Sequence, residues 1–472
     1  MSATPRGSVI RCRGRCPVSS RVSSTCRRNR FPATLFDRCS IQGKKARTFD
    51  AHLTQQRRSR IVEPSNRRQA TLQSAQTVRI DRIREANGNE VEPTMAKAGE
   101  PRKCTDALLT ASIDTDPLTR LDRQHAGLDR AVLLALVAAD EAMAQAGLRD
   151  AVPEPGRFGA YAGVGFAGAQ TLDAMYSRYF QALHSTEKTG RNATVMHPLS
   201  VPRMMANAPA AALSMRHGLR GTTNTYAVAC ASSAVALGEA ARAIAHGYLD
   251  AVLVVGTESM LTAGCMVAWN ALRVMARPDA TDPAASCKPF SSERNGFVLG
   301  EGAAALVLES EAHAQRRHAP AALAELAGYG SSSDAHHLTA PSVDGQVAAM
   351  REALSQAGLA PEDIHYLNAH GTATGEGDPT EISALKALFG NHAERVMVSA
   401  TKSMHGHLLG AAGAIEALAT ALALHGQAVP PTAGLVDVAA ECAGVDHVMG
   451  QARRDRPLRV ALSNSFAFGG SN

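Results

Sequence analysis

The sequence predicts an α/β protein made of two related halves, and three observations carry that prediction. Short continuous apolar runs, such as residues 251–255 and 303–308, have the composition of strands covered on both faces. Stretches with apolar residues at helical spacing alternate with those runs, and the alternation occurs twice along the chain. Glycine-rich loops follow several strands, at the end where ligands of open α/β sheets gather.

With 472 residues and 45% hydrophobic content the chain can bury a sizeable core. No uninterrupted apolar run reaches the length of a membrane span, because Arg, His, Asp or Glu interrupt the longest ones. Nine cysteines follow no disulfide or zinc-ligand spacing, so a reducing compartment and no metal are expected. The charge is uneven. Residues 1–104 hold 23 of the 49 Lys and Arg but only 8 of the 43 Asp and Glu, which leaves an acidic remainder.

That basic segment lacks both periods and reads as a disordered or unrelated extension over residues 1–111. A targeting peptide fits the first 36 residues, which contain no acid, and a nucleic-acid arm fits the charge but lacks interleaved aromatics. A wrongly placed start or shifted reading frame is the favoured explanation. From residue 112 the texture changes, with one half over 112–310 and a second over 311–472.

Leu128, Val132, Leu136 and Met143 mark a helix that ends at Gly147. Residues 157–165 form a strand running into a glycine-rich loop, but Gln170 breaks the dinucleotide fingerprint and no acid follows at the next strand end. Residues 223–229 read as a strand, and from Ala231 onward the spacing is helical, so Cys230 sits at a strand-to-helix elbow. Unpaired N–H groups there favour a thiolate, which predicts a lowered thiol pKa. A lone cysteine is more often buried and inert. Further strands follow at 364–370, 396–400 and 458–463, with helices at 345–358, 380–389 and 408–425. His370 closes the first of those strands, Lys402 and His407 share the loop after the second, and a loop with Phe466 and Phe468 follows the third. Four reactive loops, all at strand ends, favour chemistry over isolated structural histidines.

These segments read VACASS (228–233), NAHGTAT (368–374), TKSMHGHLLGAAGA (401–414) and NSFAFGG (464–470), supported by NGFVLGEGA (295–303) and SSSDAHHLTAP (331–341). From about residue 112 to the end the chain resembles the elongating β-ketoacyl-[acyl-carrier-protein] synthases, decarboxylating condensing enzymes of fatty-acid and polyketide synthesis. The resemblance implies a five-layer thiolase-like fold of two halves, with the first strand apparently missing. It implies that Cys230 carries the acyl group, that His370 and His407 bind the malonyl thioester, and that Lys402 pairs with Glu381 to order the histidine loops, with Asp378 as a further support. Phe468 and Cys230 would supply an oxyanion hole, Phe466 and Phe468 a gate, and Thr372 and Thr374 contacts to a phosphopantetheine arm. Phe166 would stand at the mouth of the acyl pocket and favour short or unusual acyl primers.

No metal or organic cofactor is implied, since the substrate is carried on the arm of acyl-carrier protein. The implied partners are that carrier and a second copy, or a chain-length factor in a heterodimer, with no nucleic acid or membrane, in the cytoplasm. Cys–His–His sets the chain apart from the Cys–His–Asn priming type and from thiolases, and a chain-length factor would lack Cys230. Ala467, His405 and Ser291 depart from the family pattern, the first putting a Cβ where glycine is usual. The family's first strand and a final apolar strand are not legible at the two ends. That absence makes a silent truncated fragment the first alternative, and a partner subunit of a heterodimeric polyketide synthase the second.

Overall fold

Period-two alternation with both faces apolar builds the centre of the molecule. In strand Ala251–Glu258 every residue is buried; Ala251, Leu253 and Val255 join one core cluster, while Val252 and Val254 join another on the opposite face. Strand Gly302–Ser310 divides the same way, with Ala303, Ala305 and Val307 on one side and Ala304, Leu306 and Leu308 on the other.

The computed structural model describes residues 70–73, 82–86, 108–184 and 196–472, all within one compact unit from Pro64 to Asn472. Its strands are β1 (Ala70–Gln73), β2 (Arg82–Ala86), β3 (Leu108–Ser112), β4 (Phe158–Gly163), β5 (Thr223–Tyr226), β6 (Ala251–Glu258), β7 (Leu299–Gly300), β8 (Gly302–Ser310), β9 (Ala324–Leu326), β10 (Tyr366–Asn368), β11 (Met397–Ser399), β12 (Asp446–His447) and β13 (Ala461–Ser463). Its α-helices are α1 (Arg130–Gln145), α2 (Ala169–His184), α3 (Ser200–Met204), α4 (Ala208–His217), α5 (Ser232–Ala245), α6 (Ala263–Ala271), α7 (Glu311–Arg316), α8 (Val343–Ala357), α9 (Gly377–Phe389), α10 (Lys402–His405) and α11 (Ala412–Gly426).

A six-stranded sheet runs β5-β4-β6-β8-β1-β9, parallel from β5 to β6 and antiparallel beyond. An all-parallel sheet runs β12-β11-β10-β13, and β2-β3-β7 form a small third sheet. Helices α1 and α4 cover one face of the large sheet through Val132, Leu136, Met143 and Leu213. Helices α5 and α11 lie between the two main sheets through Leu237, Ile244, Ile415 and Leu418, and α8 and α9 cover the far side through Val347, Leu354, Ile382 and Leu385. The result is helix, sheet, helix, sheet, helix, the five layers the resemblance implied.

Two close approaches fix the middle layer. A Cβ on Gly163 of β4 would come within 2.3 Å of Ser233 Cα at the start of α5, and one on Gly413 within 2.7 Å of the Ala234 backbone nitrogen. Only glycine lets the start of α5 settle on the sheet there.

The body begins earlier than residue 112. Strand β3 straddles the expected boundary, and β1 pairs with β8 along one edge and β9 along the other, so the place of the strand expected to be missing is filled. Apart from β1 and β2, the reading of residues 1–104 as disordered falls outside the described residues. Leu409–Gly426 could cross a membrane by length and composition alone, but Glu416 and His425 interrupt it and 67% of it is buried inside the protein, as the middle-layer helix. A cavity of about 180 Å³ lies between the edges of β9 and β13, bounded by α5, α8 and α11.

Candidate active site

After β5 the chain makes a 3-10 turn, Ala229–Ala231, before α5 starts. Ala229 has φ 42°, a left-handed backbone that costs a residue with a Cβ about 1–3 kcal/mol. The turn is held by Ser232, whose hydroxyl accepts from the Val228 N–H at 2.8 Å and donates to the Ala229 carbonyl at 2.6 Å. This strained elbow aims Cys230, 6% exposed, into a cavity of about 350 Å³.

Strands β10 and β11 pair in parallel with Asn368 opposite Ser399, so the segments leaving their ends emerge side by side. One carries His370 and the other Lys402 and His407. His407 Nε2 lies 3.1 Å from Cys230 Sγ, and its Nδ1 accepts the Leu409 N–H at 3.2 Å, which leaves the ring hydrogen on Nε2. Lys402 Nζ donates to the His370 carbonyl at 2.6 Å and sits 3.3 Å from His370 Nδ1, so that ring too presents Nε2–H. The two imidazoles meet edge to face, with centroids 5.5 Å apart. Burial, then the Lys402 charge, holds both well below the ordinary histidine pKa, and both are neutral donors.

The expected partner of Lys402 was Glu381, and the structure corrects it. Lys402 is fully buried and pairs with Glu416 of α11. Glu381 instead accepts the His370 and Gly371 N–H groups at 2.9 and 2.8 Å and the Asn464 side-chain amide at 3.0 Å, tying the His370 loop to the segment after β13. Asp378 accepts from the Phe290 and Ala373 N–H groups at 2.7 and 3.0 Å, and burial pushes its pKa up to about 7. Glu258, also pushed up to about 7 by burial, accepts from Gly165, Phe166 and Gly410 and joins the loop after β4 to the His407 loop.

The cavity brings together Cys230, His370, His407, Phe466, Phe468, Thr372, Thr374 and Glu381, with Lys402 and Asp378 behind its wall. The Thr372 and Thr374 hydroxyls are 3.0 Å apart. Phe166 is not among the lining residues; its ring is 45% exposed. Ala467 keeps a negative φ, so its Cβ is unstrained in this conformation. His405 donates Nδ1–H to the Gly406 carbonyl at 2.8 Å and places Nε2 3.2 Å from Thr401 Oγ1, bracing the turn before His407. Ser291 is buried and accepts the Glu293 N–H at 3.1 Å.

Sequence reasoning passed over Glu416, Glu258 and the positioning amide of Asn464. Glu416 carried a signal: it is the one acid in helix α11, otherwise nearly all apolar.

The expected lowering of the Cys230 pKa is reversed. Burial pushes the thiol up to about 12, against the pull of the Lys402 charge and the Phe468 N–H, so the resting group is the thiol. Alkylation of Cys230 by iodoacetamide, followed at its own peptide, is expected to accelerate about tenfold per pH unit from about pH 7 to 9, since the thiolate is the reacting form. A plateau below about pH 8 would show that the helix start outweighs burial.

A thiol at a strained elbow with two neutral N–H donors beside it can accept an acyl group and then stabilise an oxyanion nearby. Two family models match the chain, the β-ketoacyl synthase N-terminal domain over residues 69–314 and its C-terminal domain over 323–436. The chain is 43% identical to nodulation protein E of Rhizobium sp. (strain N33) over 77% of its own length and 86% of the relative's. It is 36% identical to 3-oxoacyl-[acyl-carrier-protein] synthase 2 of Staphylococcus aureus (strain COL), over 82% and 93%. Among solved structures, a type II polyketide ketosynthase in complex with its acyl-carrier protein and bound to the hexaketide superposes with a TM-score of 0.73 at 25% identity, over 86% of this chain and 98% of that one. By sequence and by fold, this chain belongs to the β-ketoacyl synthase family.

Proposed function

We propose that this chain is a β-ketoacyl-[acyl-carrier-protein] synthase that condenses a Cys230-bound acyl group with a malonyl unit in fatty-acid or polyketide synthesis. The observation that carries the reading is the placement of His407 Nε2 at 3.1 Å from Cys230 Sγ, with His370 packed edge-on against it.

In the first half-reaction Cys230 sulfur attacks the acyl thioester, the carrier's thiol leaves, and the Cys230 proton goes to it. The N–H groups of Cys230 and Phe468 face the oxygen that becomes negative. In the second, a malonyl thioester takes the carrier's place, with its carbonyl oxygen between the Nε2–H groups of His370 and His407. Loss of CO2 leaves its electron pair on the α-carbon as an enolate. That carbon bonds to the acyl carbonyl carbon, the carbon–sulfur bond breaks, and Cys230 sulfur takes up a proton. No metal or organic cofactor enters, because the departing carboxylate supplies the electron pair. Thr372 and Thr374 lie at the cavity wall where the phosphopantetheine arm would pass.

The working unit in this reading is a cytoplasmic homodimer. Among the described residues strand β5 ends the large sheet, Thr225 Oγ1 on it is buried without a partner, and α2 exposes Tyr176, Phe180 and Leu183. A second copy paired at the β5 edge would extend the sheet, and exposed apolar rings such as those of α2 favour a covered face.

Mass spectrometry after incubation with an acyl-carrier-protein thioester tests the reading. A single acyl adduct is expected, absent in Cys230→Ala, on a species that light scattering places at twice the 49.5 kDa chain. No adduct on a folded parent chain would sink the enzymatic reading, and a monomer would require a different subunit at the β5 edge.

A further inference from the structure

Helix α8 buries Val347, Met350 and Leu354 in the far-side core, and Gly345 and Gln346 beside them in its first turn. Glutamine is seldom fully buried, and when it is, its amide is hydrogen-bonded. Gln346 is 1% exposed, yet its Oε1 has no hydrogen-bond partner among the described residues. The same side chain lines the cavity that holds Cys230, His370 and His407.

The polar groups around the start of α8 are satisfied by one another. Asp334 accepts the Asn472 side-chain amide at 2.6 Å through Oδ1 and the Ser342 N–H at 3.0 Å through Oδ2. Ser332 Oγ donates to the Gly345 carbonyl at 2.6 Å and accepts from the Asn472 amide at 3.2 Å. A Cβ on Gly345 would come within 1.8 Å of Asp334 Oδ1 and 2.7 Å of Asn472 Nδ2, so the first turn of α8 lies directly against this network. Gln346 is the next residue, and the network leaves it no donor, because both hydrogens of the Asn472 amide are spent on Ser332 and Asp334. Among the residues that line the cavity, Arg273, Leu338 and Glu376 are exposed at its rim, whereas Cys230, His370 and Gln346 are buried. The unpartnered acceptor therefore belongs to the part of the cavity that takes the thioester end of a substrate.

We propose that Gln346 is a binding residue for the carrier arm, its Oε1 accepting the N–H of the arm's amide nearest the thioester. The inference rests on the ketosynthase reading and deepens it. That amide is common to the acyl and malonyl substrates, so one acceptor serves both half-reactions, and a buried oxygen left bare in the empty cavity gains its partner when the arm enters.

The test uses the full chain and two acyl-carrier-protein thioesters, one with the natural arm and one whose arm has an ester oxygen in place of that N–H. Acylation of Cys230 at limiting substrate is followed by mass spectrometry for the parent and for Gln346→Met, which keeps the length of the side chain and removes its acceptor. The parent is expected to react about tenfold faster with the natural arm than with the ester arm. Gln346→Met should fall about tenfold on the natural arm and stay within about twofold on the ester arm, with alkylation by iodoacetamide unchanged. Equal rates of the parent on the two arms would overturn the proposal. Equal falls of Gln346→Met on both arms would overturn it too, since a side chain that only supports the fold, or only holds a water, does not distinguish them. The comparison of the two arms on the parent decides the matter even where Gln346→Met fails to fold. A parent that is alkylated by iodoacetamide but acylated with neither arm would overturn the ketosynthase reading, and this inference with it.

Discussion

Replacing His370 by alanine is expected to lower the rate of condensation by about a hundredfold or more while Cys230 still accepts an acyl group. The reason is the division of labour in the site. His370 touches neither the sulfur nor the Phe468 N–H; its ring is fixed by Lys402 at Nδ1 and presents Nε2–H beside His407. It serves the step in which an enolate oxygen develops. His407→Ala should damage both steps, because His407 Nε2 also contacts Cys230 Sγ. The measurement is single-turnover acylation followed separately by condensation with malonyl-carrier; a His370→Ala chain that condenses at the parent rate would sink the assignment.

The same residues set a pH dependence. Burial, then the Lys402 charge, lowers the folded pKa of both histidines well below the unfolded 6.5. Below about pH 6.5 the unfolded chain binds more protons than the folded one, so stability falls as pH drops through that value. The neutral rings persist, so the condensation step itself should run level from about pH 8 to 6.

The second large effect concerns Glu416. Glu416→Ala is expected to cost about 3–5 kcal/mol, because it strands a fully buried ammonium, against a typical total stability of about 5–15. Lys402→Met should cost clearly less. Burial already pushes the Glu416 carboxyl up to about 7 despite the Lys402 charge, so without lysine the acid becomes neutral with little further penalty. Without the carboxylate, the Lys402 ammonium is left fully buried and uncompensated. Urea unfolding of both variants near pH 7 checks the asymmetry; equal losses, or a stable Glu416→Ala, would show that the pair is not what holds the two histidine loops in place.

Most of the site was legible because its residues sit at the ends of elements with clear periods. The strand read at 251–255 became Ala251–Glu258, and the one read at 303–308 became Gly302–Ser310. The elbow at Cys230 was visible where period two gave way to helical spacing, and the helix read to end at Gly147 became Arg130–Gln145. Strand β1 escaped because Ala70–Gln73 is four residues within a polar, basic stretch, too short for alternation to stand out.

The sequence by itself determined the order of strands and helices and the identity of the reacting groups, because periodicity and turn chemistry are local and are written within a few residues. The tertiary structure decided which acid faces Lys402, Glu416 or Glu381, since both lie on helices after strand ends and only the packing of α11 between the sheets brings one of them to the ammonium. It also decided the state of the Cys230 thiol. A helix start favours the thiolate from one side, but the free energy of a charge depends on how much water every surrounding element excludes, and here that burial wins.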